Sequence, residues 1–504
     1  MKKYFVQILA IFLLGASLSS CKKMLYEAPI NTVYSENFWT SETSVNQATE
    51  AMYVQLRSAL RDGSSHFIFG DLTTNLFSCS YSCDWTLDAV RPNYSKGSFF
   101  FSYVPYMEEP LQNWSRFYKI IAQSNLIQQN VPAMSPGLFI NSRPDAYIAE
   151  ALFMRAYAYF YMTRVWGDPV YVSKSYNDVD YGKIPPLART PESKVLDSCL
   201  IDLRKAAAAL DYGGTSLRAN KGTVYSLMAH IFAWRHQYDS CHQYCQKVIA
   251  NGGYALEPMS TYGNIWAGTG SQENILELPM MANDRTDISE TNAQYFDFFS
   301  LFLKGSLVDN QKGNAWVMAK GGVMDYIFTD KTNDQRFLNY FVHTNATNND
   351  VDGYLLLKYN NFKYKIPSSK TSPYLNNNLV LLRLADIILL DAEAQASTGN
   401  LAGAQAMLKQ TEDRAGITSY NDPTDQYSML DEVVSERGRE LAGEGSWYYD
   451  LIRTDSSQQW LGAVGYPSAR VTSTNKGYYW PLDMATLFPQ DNLLTQNPWW
   501  ATHK

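Results

Sequence analysis

Apolar residues recur at spacings of three and four along much of the chain, which is the pattern of amphipathic helices. Between these periodic segments lie long stretches rich in Gly, Asn, Ser, Thr and aromatic residues, at 62–107, 167–190, 253–378 and 454–504. The periodic segments predict helices at 42–61, 108–131, 145–165, 191–210, 219–236, 238–251, 379–398, 401–415 and 428–443.

Two pairs of the predicted helices are close enough in sequence to form antiparallel hairpins, one within 219–251 and one within 379–415. In the second pair, Gly399 and Asn400 provide the turn. Helices of about fifteen residues joined by short turns are typical of tetratricopeptide repeats. We therefore predict a mainly α fold: a tetratricopeptide-like scaffold of helical hairpins that carries long irregular loops with minor β structure.

The first residues have the three parts of a secretory signal. Lys2 and Lys3 are followed by an apolar run over 4–14 and then by small residues up to Ser20. The run is shorter than the ~20 apolar residues that a membrane-spanning helix needs. We therefore expect the chain to be exported and residues 1–20 to be removed.

Leu18-Ser19-Ser20-Cys21 resembles the bacterial lipobox, in which the cysteine becomes lipidated and forms the mature N-terminus. The alternative is a plain secretory signal in which Cys21 is incidental. Buried acyl chains would make the protein membrane-anchored rather than membrane-spanning. The predicted organisation is a signal peptide (1–20), a lipidated tether (21–40) and a single domain (41–504), with scaffold at about 42–61, 108–251 and 379–453, and ligand-loop regions at about 62–107 and 253–378.

Charge and aromatic content narrow the class of partner. The net charge of −7 argues against nucleic acid or an anionic surface as the main partner. The chain has 36 Tyr and 12 Trp, whose flat faces and polar tips suit stacking on sugar rings or peptide side chains. Packing between helices must account for most of these rings, so only a subset is available for binding.

Cysteine and acidic residues offer few metal-binding patterns. Cys79 and Cys83 lie in a loop-like stretch, where a local disulfide is compatible with export. Cys241 and Cys245 lack a second ligand pair and are expected to be buried thiols. The segment Asn348–Gly353 imitates the start of a calcium loop but lacks the glutamate that would complete it, which favours a polar turn. We predict neither a metal site nor a cofactor.

Four carboxylates, Glu432, Glu436, Glu440 and Glu444, are spaced by four and so line one face of a helix. Paired carboxylates can serve in glycoside hydrolysis. Arg437 lies among them, however, which favours a salt-linked helix that docks onto its neighbours. The HExxH, GxSxG and Walker A motifs are absent from the sequence, and we predict no catalytic residue.

Several stretches together resemble the SusD/RagB family of outer-membrane lipoproteins. They occur in the same order as in the family and span nearly the whole chain after the lipobox. Trp447 departs from an otherwise matching motif, since the family usually has Arg there. The matching stretches are Tyr118–Asn125, Glu150–Phe160 with Trp166–Val170, Leu384–Ala394, Arg414–Ile417, Glu436–Arg453, Pro481 and Gln496–Pro498.

The resemblance implies a tetratricopeptide-like fold and a lipoprotein that is lipid-anchored at the outer membrane and exposed on the cell surface. It also implies a partner, a SusC-like TonB-dependent transporter to which the protein delivers captured glycans. We therefore expect a glycan-binding protein that is not an enzyme. A peptide-binding member of the family and a surface glycosidase are the alternatives.

Relatives in this family bind ligands through aromatic and polar side chains on two irregular loops, one early and one in the middle of the chain. Two segments of this chain have that mixture at those positions. The expected ligand-binding residues are Trp85, Asp88, Arg91, Asn93 and Tyr94 in the first, and Tyr295, Phe298, Phe299 and Trp316 in the second.

Overall fold

The computed structural model describes most of the domain that begins near residue 40. The described residues are 38–79, 108–175, 186–280, 298–299, 301–303, 307, 315–344, 351–375, 377–462, 467–489 and 491–503.

Helices dominate the described residues, as the apolar periodicity predicts. The longer helices are α1 (Glu42–Arg61), α4 (Ser115–Asn130), α5 (Pro144–Trp166), α6 (Glu192–Ala209), α7 (Lys221–Trp234), α8 (Tyr238–Asn251), α11 (Leu384–Ser397), α12 (Leu401–Arg414) and α13 (Gln426–Glu440). The shorter helices are α2 (Ser65–Phe67), α3 (Glu108–Gln112), α9 (Val323–Ile327), α10 (Gln335–Tyr340), α14 (Trp447–Arg453), α15 (Ser457–Leu461) and α16 (Pro498–Thr502).

Local capping explains several of the helix starts. The side chain of Ser41 accepts a hydrogen bond from the Ser44 N–H at the start of α1. Asn220 and Thr223 form a reciprocal capping box at the start of α7. Such side chains satisfy backbone N–H groups that the first turn of a helix leaves without a partner.

Two of the predicted helices differ from the structure. The prediction of a helix over 379–398 is wrong in its first part, because Asn378–Arg383 form a strand before α11 begins at Leu384. The predicted helix over 108–131 is divided by Asn113 and Trp114 into α3 and α4. A buried strand and a buried helix both give a short run of apolar residues, so the pattern alone does not separate them.

Helices that follow one another in sequence pack side by side. The order of packing is α1, α4, α5, α6, α7, α8, α11, α12 and α13, and α8 of one hairpin lies against α11 of the next. Small residues such as Ala392, Ala396 and Ala404 form part of the buried layer between α11, α12 and α13. The predicted scaffold of tetratricopeptide-like hairpins is therefore confirmed.

Small antiparallel sheets accompany the helices. The strands are β1 (Asn274–Pro279), β2 (Met318–Ala319), β3 (Phe341–Thr344), β4 (Gly353–Leu356), β5 (Phe362–Ile366), β6 (Thr371–Leu375) and β7 (Asn378–Arg383). β1 pairs with β7, β5 pairs with β6, and β4 lies between β2 and β3. The pairing of β1 with β7 places the beginning and the end of the region 280–377 next to each other, with Pro279 opposite Asn378.

The carboxylates of α13 belong to the scaffold, as their arginine neighbours predict. Glu440 is fully buried and lies 2.6 Å from Arg383, 2.5 Å from Arg414 and 3.0 Å from Arg336. Glu436 pairs with Arg336 at 2.6 Å. Burial would raise the pKa of Glu440, but the arginines, chiefly Arg414 and then Arg383, hold it well below its usual value. These carboxylates are charged and bound within the fold.

Trp447, where the family usually has Arg, is packed in the core. Its ring lies edge-on to Trp460 at 5.4 Å between centroids. The ring covers Gly438, where an added Cβ would lie 2.7 Å from it. Apolar packing therefore takes the place of a charged side chain at this junction between α13 and α14.

No helix within the described ranges has both the length and the apolar character needed to cross a bilayer.

Candidate ligand-binding surface

The first set of expected ligand residues lies outside the described residues. It comprises Trp85, Asp88, Arg91, Asn93 and Tyr94. Tyr295, from the second set, also lies outside them. The involvement of these six side chains in binding stays a prediction.

The three remaining residues of the second set are core residues in this structure. Phe298 and Phe299 are 1% and 0% exposed, and Trp316 is 3% exposed. Phe298 stacks on Phe67 at 4.4 Å, and Phe299 lies 4.6 Å from Tyr359. Their burial corrects the expectation that these rings face a ligand. Other side chains cover both faces of each ring, so no face is open to a sugar.

The two predicted ligand-loop regions nevertheless meet. Ser78 and Val317 form an antiparallel bridge, with N···O distances of 2.7 and 3.0 Å. The amide of Asn75 donates a hydrogen bond to the carbonyl oxygen of Trp460 on α15. The early loop region is thus fixed both to the middle loop region and to α15.

Two exposed tyrosines lie beside this meeting point, and with Asp431 and Gln459 they form what we call the tyrosine surface. Tyr326, on α9, is 56% exposed and packs edge-on against Trp460 at 5.1 Å. Tyr427, at the start of α13, is 69% exposed. Each side chain presents an apolar ring and a polar hydroxyl to solvent, a combination that is enriched at interfaces.

A chain of hydrogen bonds connects the two rings. The Tyr427 hydroxyl donates to Gln459 Oε1 at 3.0 Å, and Gln459 Nε2 donates to Asp431 Oδ1 at 2.8 Å. The Tyr326 hydroxyl donates to Asp431 Oδ2 at 3.0 Å. The rings are therefore held in place before a ligand arrives, which lowers the entropy cost of binding.

The polar groups at the tyrosine surface suit hydroxyl-rich ligands. Partial burial raises the pKa of Tyr326, and the Asp431 carboxylate that its hydroxyl contacts raises it further. The phenol therefore stays neutral at physiological pH. Flat apolar faces flanked by a carboxylate and an amide form the combination that binds sugar rings and their hydroxyl groups.

The prediction from sequence missed both of these tyrosines. Tyr427 had a usable signal, because it precedes the buried positions Met429 and Val433 of an amphipathic helix and so falls on its polar side. Tyr326 lies in a short helix within a region of weak periodicity, where the sequence gives no comparable signal.

The prediction of buried thiols at Cys241 and Cys245 is confirmed, and the pairing of Cys79 with Cys83 stays a prediction. Cys79 is disulfide-bonded, whereas Cys83 and Cys21 lie outside the described residues. Cys241 and Cys245 are buried thiols with their sulfur atoms 3.9 Å apart. Among the described side chains, no three His, Cys, Asp or Glu residues are grouped so that they could hold a metal ion.

Two family profiles match the chain. The profile of the SusD family matches residues 231–500. A second profile, described as "starch-binding associating with outer membrane", matches residues 89–233. Together they cover residues 89–500, which include all of the middle ligand-loop region and the scaffold from residue 108 onwards.

The sequences of individual SusD-like proteins are also similar to this chain. SusD-like protein P38 of Formosa agariphila is 24% identical over 501 residues, which cover 92% of this chain and 93% of the relative. A SusD-like protein of Bacteroides ovatus is 24% identical and covers 90% of this chain and 82% of its own length.

Solved structures share the fold. NanU of Bacteroides fragilis has a TM-score of 0.71 at 17% identity, covering 94% of this chain and 99% of its own. A laminarin-binding SusD-like protein has a TM-score of 0.71 at 19% identity, covering 91% and 99%. The resemblance noted in the sequence motifs is confirmed: the chain belongs to the SusD family, whose members are generally glycan-binding proteins of the outer membrane rather than enzymes.

Proposed function

We propose that this chain is a non-catalytic receptor that binds glycans at the tyrosine surface and delivers them to a SusC-like, TonB-dependent transporter. A lipid on Cys21 tethers it at the outer membrane, and the domain faces the outside of the cell. Its ligand-binding residues are Tyr326, Tyr427, Asp431 and Gln459, together with the early segment Trp85–Tyr94.

The observation that carries this proposal is the pair of exposed rings fixed by the Tyr427–Gln459–Asp431–Tyr326 hydrogen bonds. The contrast with Phe298, which is buried, identifies which rings have a free face. Family membership supports a glycan as the ligand, and the laminarin-binding relative supports a β-glucan as a first ligand to test.

The test is affinity electrophoresis of the purified chain in gels containing laminarin, starch or other polysaccharides. Replacing Tyr326 and Tyr427 together by Ala should weaken binding about 100-fold, because each stacked ring contributes ~1 kcal/mol or more beyond its buried area. Tyr212→Ala is the matched control, since Tyr212 lies in the loop between α6 and α7 and contacts Tyr225 and Lys247.

Unchanged retardation of the double variant would exclude the tyrosine surface as the glycan site. Binding of peptides rather than any glycan would instead support the peptide-binding alternative.

Mass spectrometry of the membrane-extracted protein tests the tether, with a diacylglycerol on Cys21 as the expected result.

A further inference from the structure

A cleft separate from the tyrosine surface lies at the end of the α7–α8 hairpin. Its volume is about 700 Å³, within the range of ~300–1,000 Å³ typical of small-molecule sites. The walls come from the loop between α6 and α7, the loop after α8, and the segment before β1. Glycines form much of the rim, namely Gly213, Gly214, Gly252, Gly253, Gly268 and Gly270.

The floor of the cleft is built by an irregularity in β1. The register of β1 against β7 shifts between Asn274 and Leu276 and again between Leu276 and Glu277. In a regular strand, residues three apart point to opposite faces. The shifts bring Asn274 and Glu277 together, so that Asn274 Nδ2 donates to Glu277 Oε2 at 3.1 Å.

Glu277 is a buried carboxylate whose described partners are neutral. Besides Asn274, it accepts hydrogen bonds from the Ser216 hydroxyl at 2.5 Å and from Asn378 Nδ2 at 2.9 Å. Glu277 is only 2% exposed. This differs from Glu440 in the scaffold, whose charge is balanced by arginines, and it leaves the floor of the cleft negative.

Neighbouring groups add acceptor capacity without adding positive charge. Asn274 is 3% exposed, and its Oδ1 has no hydrogen-bond partner in the described part of the chain. No Lys or Arg is among the lining residues that the structure describes. Arg57 donates to the carbonyl of Pro279, and Arg218 is paired with Glu150. A ligand bearing a carboxylate or phosphate would therefore find no cation among the described lining residues.

We propose that this cleft binds an amino sugar with a free, protonated amine. The amine lies over Glu277, whose charge acts through the low-dielectric floor even without direct contact. The half-buried ring of Tyr254 offers an apolar wall for the sugar ring. Ser271, Gln272 and the backbone of the glycine rim provide partners for the hydroxyl groups.

The experiment compares glucosamine, N-acetylglucosamine and glucose by isothermal titration calorimetry on the full chain in detergent. Glucosamine should bind at least about tenfold more tightly than either neutral sugar, and Glu277→Gln should remove that preference. Equal binding of the three sugars, or no binding of glucosamine, would overturn the proposal. Ethanolamine binding as tightly as glucosamine would overturn the assignment to a sugar.

A second pair of variants avoids the buried network. Gln272 is an exposed lining residue, so Gln272→Lys adds a positive charge to the cleft, whereas Gln272→Met keeps a similar length without charge. Glucosamine binding should fall about tenfold in Gln272→Lys relative to Gln272→Met. Equal affinity of the two variants would contradict the charge argument. Replacing Tyr326 and Tyr427 should leave glucosamine binding unchanged, so this site and the proposed glycan surface can fail independently.

Discussion

Helix α13 carries acidic side chains on two sides, and the two sets differ in burial and in the charge of their partners. On one side, Glu436 and Glu440 are fully buried and contact arginines. On the other, Asp431 is half-buried and accepts hydrogen bonds from the neutral groups of Tyr326 and Gln459. Arginines balance the charges of Glu436 and Glu440 within the fold. The partners of Asp431 are neutral, so its charge stays available to solvent and to a ligand.

The charge of the partner groups therefore separates the two kinds of carboxylate in this helix. Removing one member of a buried ion pair leaves an unpaired charge in the interior and destabilises the fold. Removing a group that only orients exposed rings should affect binding and leave the fold intact. Three variants test this separation, and their expected effects decrease in the order given.

The largest effect is expected for Arg383→Met. Arg383 is buried and pairs with Glu273, Glu440 and Glu444 at 2.6 to 2.8 Å. Its loss should lower the free energy of unfolding by ~3–5 kcal/mol, measured by urea denaturation. The control is Arg143→Met, whose side chain is 61% exposed and whose ion pairs are longer, at 3.5 and 3.7 Å. Its cost should be ~1 kcal/mol or less, and equal losses would contradict the comparison.

A smaller effect is expected for Asp431→Ala. The change removes the acceptor of both Tyr326 and Gln459, so glycan affinity should fall about three- to tenfold with little change in melting temperature. Its neighbour Glu432 is the matched control, because its carboxylate pairs with Arg439 at 2.5 Å. Glu432→Ala should lower the melting temperature and leave glycan binding unchanged. The reverse assignment of the two phenotypes would refute the division of α13.

The smallest effect at pH 5 is expected for Asp71→Asn, because the native carboxyl is protonated there and resembles the amide. The variant probes a buried carboxylate that arginines do not neutralise. Burial raises the pKa of Asp71 to about 8, although the Gly445 N–H donates to its Oδ2 at 2.6 Å. In the unfolded chain the pKa is near ~4, so between about pH 4 and pH 8 the folded state binds the extra proton. This group therefore lowers the stability progressively as the pH rises through that window.

Urea denaturation at pH 5 and at pH 8 measures this effect. The native chain should lose more stability between the two pH values than Asp71→Asn does, because the amide does not titrate. The depressed pKa of Glu440 acts in the opposite direction, since its stabilisation is present above about pH 4 and is lost only in stronger acid. Identical losses for the native chain and the variant would contradict the assignment of Asp71.

The scaffold was largely predictable, because helix periodicity is a local property. The predicted helix over 42–61 coincides with α1, and the hairpin turn at Gly399 and Asn400 is present. The error at 379–383 has a physical cause: β7 is a buried strand, so its apolar run does not alternate with polar residues. The partner that makes it a strand, β1, lies far away in sequence, and no local signal reports it.

The candidate site was predictable only in part, because burial is a property of the whole fold. The choice of Phe298 and Phe299 followed from ring content, yet their contacts with Phe67 and Tyr359 depend on packing between distant segments. Tyr326 is left exposed by the same packing, and its orientation depends on Asp431, a helix residue distant in sequence. Counting aromatic residues therefore selected three rings, Phe298, Phe299 and Trp316, that the fold buries.

The pairing of Pro279 with Asn378 has a consequence for how such a protein can diversify. It makes the intervening region, in topological terms, one enlarged hairpin loop whose two ends are already joined. The entropy cost of closing a flexible loop grows slowly, by ~0.6 kcal/mol for each doubling of length. Insertions and deletions inside this loop can therefore accumulate at little thermodynamic cost, provided that anchors such as Trp316 are kept, while the repeat stack stays unchanged.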